Sequence, residues 1–169
     1  MATDLIDVRP GRAGDAEVIS AVHDEAWRNA YAGILPALSL EKILSKRGPA
    51  YWHRLASRRS DTLSVLVFAG EVAGYATHGP SRVPRLPYRG EIYELYLRPT
   101  HQGLGLGRRL FGRVRAINED RGLKGTIIWA LADNSPACGF YKRLGGATVA
   151  RAYESFADRR LEKLAFGWA

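Results

Sequence analysis

One seven-residue stretch limits the folds open to this chain more than any other: Gln102-Gly103-Leu104-Gly105-Leu106-Gly107-Arg108. It follows Glu91 to Arg98, a run rich in Ile, Tyr and Leu that reads as a strand closed by Pro99. It opens Gly107 to Arg121, where Leu110, Phe111, Val114 and Ile117 share one helical face and Gly122 is the stop. Glycines in such a turn let the backbone approach a ligand and adopt conformations closed to other residues. The helix N-terminus behind it offers free N–H groups and the positive end of the dipole, which favour a phosphate. Arg108 and Arg109 add charge. A P-loop needs Gly-Lys-Ser or Gly-Lys-Thr, and neither tripeptide occurs. A dinucleotide fingerprint needs a third glycine three residues after the second, and here the glycines alternate. The plain alternative is a tight turn that binds nothing.

Around this turn, helical and strand patterns interleave. Ile6 and Val8 alternate with polar neighbours before Pro10-Gly11, which predicts a short first strand. Asp15 suits a helix cap, and Val18, Ile19, Val22 and Ala26 then set a helix to about Ala30. Two shorter helices are expected over Leu38–Leu44 and Ala50–Ala56. Leu63–Phe68 and Val72–His78 flank Ala69-Gly70-Glu71 as an antiparallel hairpin, and Gly79–Gly90 reads as a loop with three prolines and three arginines. Thr126–Leu131 is a continuous apolar run, expected as a buried strand. Ser135-Pro136 predicts a helix start, with Ala137, Phe140, Tyr141 and Leu144 on its apolar face. Ala147–Tyr153 and Arg160–Trp168 close the chain as strands. Helices alternating with hairpins point to an α/β domain built on a mixed sheet.

A chain of 169 residues with 46% apolar and 25% charged residues suits one globular domain spanning 1–169 and argues against disorder. The lone Cys138 excludes an internal disulfide and a thiolate zinc site, and His23, His53, His78 and His101 form no metal pattern. No apolar run approaches the ~20 residues of a membrane span. The first ten residues carry Asp4 and Asp7 and no signal-like stretch, so a soluble, cytoplasmic protein is expected. The net charge is +8, and of the 25 basic residues only five are lysines. Arginine in excess suggests phosphate-bearing partners, a small molecule or a nucleic acid. The arginines are scattered, however, and no nucleic-acid-binding motif accompanies them.

Gln102-x-x-Gly105-x-Gly107 after a strand resembles the pyrophosphate-binding motif of the GNAT superfamily, the acetyl-CoA-dependent N-acetyltransferases. Asn134-x-x-Ala137-x-x-Phe140-Tyr141-x-x-x-Gly145, after the buried strand, is similar to that family's second CoA-contacting segment. Ile6-Asp7-Val8-Arg9-Pro10, Ala26-Trp27-Arg28 and Ile34-Leu35-Pro36 also look typical of its bacterial members. The resemblance covers nearly the whole chain and is strongest from Glu91 to Gly145. One departure is Gly146, where the family usually carries an aromatic residue.

The resemblance implies a splayed, mostly antiparallel central sheet flanked by helices, with acetyl-CoA as co-substrate, no metal and an amine acceptor. Its pantetheine arm would meet the backbone of Leu95, Tyr96 and Leu97. Gln102, Gly103, Leu104, Gly105, Leu106, Gly107, Arg108 and Arg109 would wrap the pyrophosphate. Asn134 would bond the arm, although alone it reads as a helix-start residue. The Leu97 N–H would face the thioester oxygen. Tyr141 would protonate the departing thiolate, although its spacing alone reads as core. An ammonium must lose a proton before it attacks, and Glu91 and Glu94 are the candidate bases. Three residues apart on a strand, they should point to opposite faces, Glu91 with Tyr93, Leu95 and Leu97. The resemblance favours Glu91; Glu94 would bind the acceptor's cation or pair with an arginine. Trp27, Tyr31, Tyr51, Trp52 and the Arg82–Arg89 loop are candidates for the acceptor side, or for core. Cys138 reads as a buried filler. The expected activity is acetyl transfer to a small-molecule or protein amine. The alternatives are a non-catalytic acyl-CoA sensor of the same fold and a basic nucleic-acid-binding protein. A homodimer is compatible with these features.

Overall fold

The computed structural model describes residues 5–169; residues 1–4, Asp4 among them, lie outside it. Seven strands form one sheet: β1 (Ile6–Pro10), β2 (Leu63–Phe68), β3 (Glu71–Pro80), β4 (Gly90–Leu97), β5 (Thr126–Leu131), β6 (Ala147–Phe156) and β7 (Arg159–Trp168). The spatial order is β1-β2-β3-β4-β5-β7-β6, antiparallel throughout except for the parallel pair β4–β5. Among the described residues five α-helices cover it: α1 (Ala16–Tyr31), α2 (Ala37–Ser45), α3 (Pro49–Arg58), α4 (Leu106–Asp120) and α5 (Ser135–Arg143). No helix among the described residues is long and apolar enough to cross a membrane.

Alternation decides which face each strand residue buries. On β2, Leu63 and Val65 pack with Ile19, Val22 and Trp52 of α1 and α3, while Leu66 turns the other way toward Leu110, Phe111 and Val114 of α4. A third cluster joins α1 and α2 to β5 and β7 through Tyr31, Leu40, Leu131 and Leu161. The β2–β3 hairpin turns on Ala69 (φ 51°) and Gly70 (φ 85°), the two positive-φ residues that a type I′ turn requires.

Three local expectations change. Asp15 precedes α1 without capping it by its side chain; its carboxylate instead takes Arg9 Nη1 (2.7 Å), Arg9 Nη2 (3.0 Å) and the Arg12 N–H (2.8 Å). The cap of α5 is Asn134 rather than Ser135, its Oδ1 accepting from the Ala137 N–H at 3.4 Å. Gly146 lacks an aromatic because one is already there: a Cβ at Gly146 would lie 2.6 Å from the Trp168 ring, whose Nε1 donates to the Leu144 carbonyl.

His78 on β3 is buried. It is 1% exposed and sits in a polar chain, with Nε2 3.0 Å from Ser64 Oγ and Nδ1 3.1 Å from Asn118 Oδ1. Asn118 Nδ2 donates on to the Glu91 carbonyl, which ties α4 to the start of β4.

Candidate active site

The site arises from a sheet that does not close. β4 and β5 pair only at Gly90–Thr126, Glu91–Ile127 and Ile92–Ile128. β5 continues against β7 to Leu131, and β4 against β3 to Leu97, so the two strands diverge. From Tyr93 onward, the edge of β4 facing β5 carries backbone groups with no strand partner, and such groups need one.

Two cavities meet in the gap. One, of about 580 Å³, lies on the α4–α5 side and is lined by Leu95, Tyr96, Leu97, Gln102, Gly103, Gly105, Gly107, Arg108, Asn134 and Tyr141, among others. The other, of about 720 Å³, lies on the α1–α3 side and is lined by Trp27, Tyr51, Arg47, Arg59, Thr77 and Arg82, among others. Tyr31, Tyr93, Glu94, Tyr96, Trp129 and Ala130 belong to both. The opening therefore passes through the sheet, with Glu94 at the junction. The Tyr31 and Tyr96 hydroxyls hydrogen-bond there, which joins the end of α1 to β4.

The glycine turn divides its work. Gly103 (φ 80°) and Gly105 (φ 77°) adopt left-handed backbone that side-chain-bearing residues resist. Gly107 instead admits α5, since a Cβ there would lie 3.0 Å from the Phe140 ring. Of the expected turn residues, Leu106 is buried in the core, Leu104 is exposed, and neither they nor Arg109 line the cavity. The Asn134 Oδ1 is spent on the α5 cap, leaving its Nδ2 as the side-chain donor. Tyr141 is 5% exposed, and burial pushes its phenol well above the usual range, so the proton stays on. Burial likewise pushes the Cys138 thiol up, as a filler role requires, and no group of metal-binding side chains occurs among the described residues.

The two glutamates are not arranged as alternation predicts. Thr77 pairs with Glu94, but the next residue of β3, His78, pairs with Ile92, so Tyr93 is an extra residue in β4. Such a bulge reverses the facing on one side of it. Ile92, Leu95 and Leu97 all pack toward α4, although 92 and 95 differ by three. Glu91 consequently shares the face of Thr77 and Glu94, not that of Leu95 and Leu97. It is 1% exposed and lines neither cavity. Its carboxylate takes the Arg82 N–H (2.9 Å), Nε (3.1 Å) and Nη2 (2.6 Å). Glu94 accepts from Thr77 Oγ1 (3.1 Å) and Arg47 Nη1 (3.2 Å).

Among the aromatic candidates, Trp27, Tyr31 and Tyr51 line the larger cavity and Trp52 is core, 0% exposed. Arg47, Thr77 and Trp129 were not foreseen. Trp129 lay hidden in an apolar run, and nothing in the sequence near Arg47 distinguishes it from the other arginines.

Comparison with known proteins agrees with this geometry. YuaI of Bacillus subtilis (strain 168), an uncharacterized N-acetyltransferase, is 29% identical over 168 residues, covering 97% of this chain and 93% of its own. PaiA N-acetyltransferase from Thermoplasma acidophilum, solved in complex with coenzyme A, superposes with a TM-score of 0.73 at 17% identity, over 94% of this chain and 97% of that one. The structure of yncA from Salmonella typhimurium with its cofactor acetyl-CoA gives 0.68 at 20% identity, over 98% and 94%. The profile of the Acetyltransferase (GNAT) family matches residues 20–146, through the splayed strand, the glycine turn and the Asn134–Tyr141 segment, and the chain belongs to that family.

Proposed function

We propose that this protein transfers an acetyl group from acetyl-CoA to an amine by direct attack, with both substrates bound at once. The observation that carries the reading is the through-sheet opening with Glu94 at its junction. The α4–α5 cavity fits the thioester substrate: unpartnered β4 edge for the amides of its arm, and a left-handed glycine turn at the start of α4 for its pyrophosphate. The acceptor enters from the α1–α3 side.

Glu94 is the proposed base. It lies where the two cavities join, whereas Glu91 is enclosed by Arg82. An ammonium arriving there gives its proton to the Glu94 carboxylate, directly or through water. The freed lone pair attacks the thioester carbon, the C–N bond forms and the C–S bond breaks. The departing thiolate takes the Tyr141 proton, the attacking nitrogen's second proton passes through water to restore the phenol, and the Leu97 N–H stabilises charge on the carbonyl oxygen. Coenzyme A and an acetamide are the products. A thiol-release assay across a panel of amines tests this: amine-dependent release supports transfer. Tight acetyl-CoA binding without release for any amine would favour the sensor reading.

A further inference from the structure

Arg47 is fixed through its main chain while most of its guanidinium edge stays unused. It lies between α2 and α3, and its carbonyl accepts from Trp52 Nε1 (2.8 Å) and Ser20 Oγ (3.2 Å), which fixes the main chain. Its guanidinium rests on the Tyr51 ring, 4.4 Å from the centroid. Only Nη1 is used, reaching the two Glu94 oxygens at 3.3 and 3.2 Å; among the described residues, Nε and Nη2 donate to no protein group. The side chain keeps 27% of its surface exposed and lines the larger cavity.

Ordering a long arginine costs rotamer entropy, and one nitrogen at these distances is a small return for it. A guanidinium edge with two free donors matches a carboxylate in plane. Beside it, Glu94 matches an ammonium. The two protein groups touch, so a ligand can satisfy both only if its opposite charges lie within a few ångströms of each other. An α-amino acid meets that condition; a polyamine, a lysine side chain and a peptide N-terminus lack the carboxylate. The walls beyond the pair include Trp27, Tyr31, Tyr51 and Trp129, aromatic faces for a large side chain, with Arg59, Arg82, Glu154 and Lys163 also on the lining.

We propose that the acceptor is a free α-amino acid with a large apolar or aromatic side chain, its carboxylate on Arg47 and its amine at Glu94. This rests on the acetyl-transfer reading for the chemistry but not for the binding. The test is calorimetry on the CoA-saturated protein with L-phenylalanine, L-phenylalaninamide and 2-phenylethylamine, and with L-leucine and L-tryptophan as further amino acids. At least one of the amino acids should bind, and where it is L-phenylalanine it should bind at least tenfold tighter than its amide and amine; for the other two, the same comparison uses their own amides. The advantage should vanish in Arg47→Gln and survive in part in Arg47→Lys, with CoA affinity reporting that both variants are folded. Equal binding of the amide or amine, an advantage that persists in Arg47→Gln, or no binding of any of the three amino acids would overturn the proposal. Should Arg47→Gln not fold, the comparison within the unaltered protein decides. Thiol release is followed in parallel: carboxylate-selective binding without release on any amine would remove the transferase reading and leave the ligand class standing.

Discussion

Thr77 and Glu94 face each other across β3 and β4, joined by Thr77 Oγ1 donating to Glu94 Oε2 at 3.1 Å. One step along β3 the pairing has slipped by a residue, because Tyr93 bulges out of β4. Glu94 keeps the facing that alternation back from Leu97 gives it and lies where the two cavities join, while the insertion brings Glu91 onto the same face; the Glu94 side chain is the one whose loss should matter most to chemistry.

Glu94→Gln should lower turnover by about 10² to 10⁴-fold, the range of a general base, and remove the acidic limb of the pH–rate profile. Glu91→Gln should leave that limb in place. Its effect should be on stability, about 1–3 kcal/mol in urea unfolding, since a buried acceptor with three donors is altered. Steady-state kinetics over pH, alongside unfolding, separates the two; an unchanged limb in Glu94→Gln would move the base elsewhere.

Gly105→Val should weaken CoA binding at least tenfold with the fold retained. No atom lies within 4 Å of a Cβ there, so the substitution meets no steric block in the core. At φ 77° it strains the turn, by about 1–2 kcal/mol, and places a branched side chain where, on the proposed reading, backbone would meet the pyrophosphate. Calorimetry with CoA, with circular dichroism as the check on folding, reads both.

Tyr141→Phe keeps the ring and removes the proton. Turnover should fall while acetyl-CoA affinity changes little, because the loss belongs to the leaving-group step. If turnover is unaltered and chemistry is rate-limiting, Tyr141 is a core residue only.

His23 supplies a pH test of the fold. It is 1% exposed, packed at tilted angles against the rings of Trp27, Trp52 and Tyr75, and burial, helped by Arg47, pushes its pKa down to about 4. The unfolded chain, with an ordinary histidine near 6.5, binds the proton more readily between those values, so stability falls as pH drops through that window. Between pH 7 and 5 the loss from this group should be about 2 kcal/mol. His23→Leu should flatten that slope relative to the unaltered protein, measured by urea unfolding at both pH values.

The order of elements and the glycine turn can be read from the residues alone. Apolar periodicity marks β1, α1, α4 and α5 because burial on one face is a local, one-dimensional pattern, a continuous apolar run marks β5, and Gly103 and Gly105 show where the backbone must turn left-handed. The Asn134–Tyr141 segment was legible too, as a helix start with one apolar face, although the cap fell to Asn134 instead of Ser135. The facing of Glu91 and Glu94 was not legible, because alternation holds only while pairing stays in register, and the Tyr93 bulge exists only between β4 and its partner β3. Arg47 was invisible for a related reason. Its neighbours Ser20, Tyr51, Trp52 and Glu94 come from α1, α3 and β4, and only the packing of those elements onto the sheet makes one arginine among twenty a fixed part of a cavity.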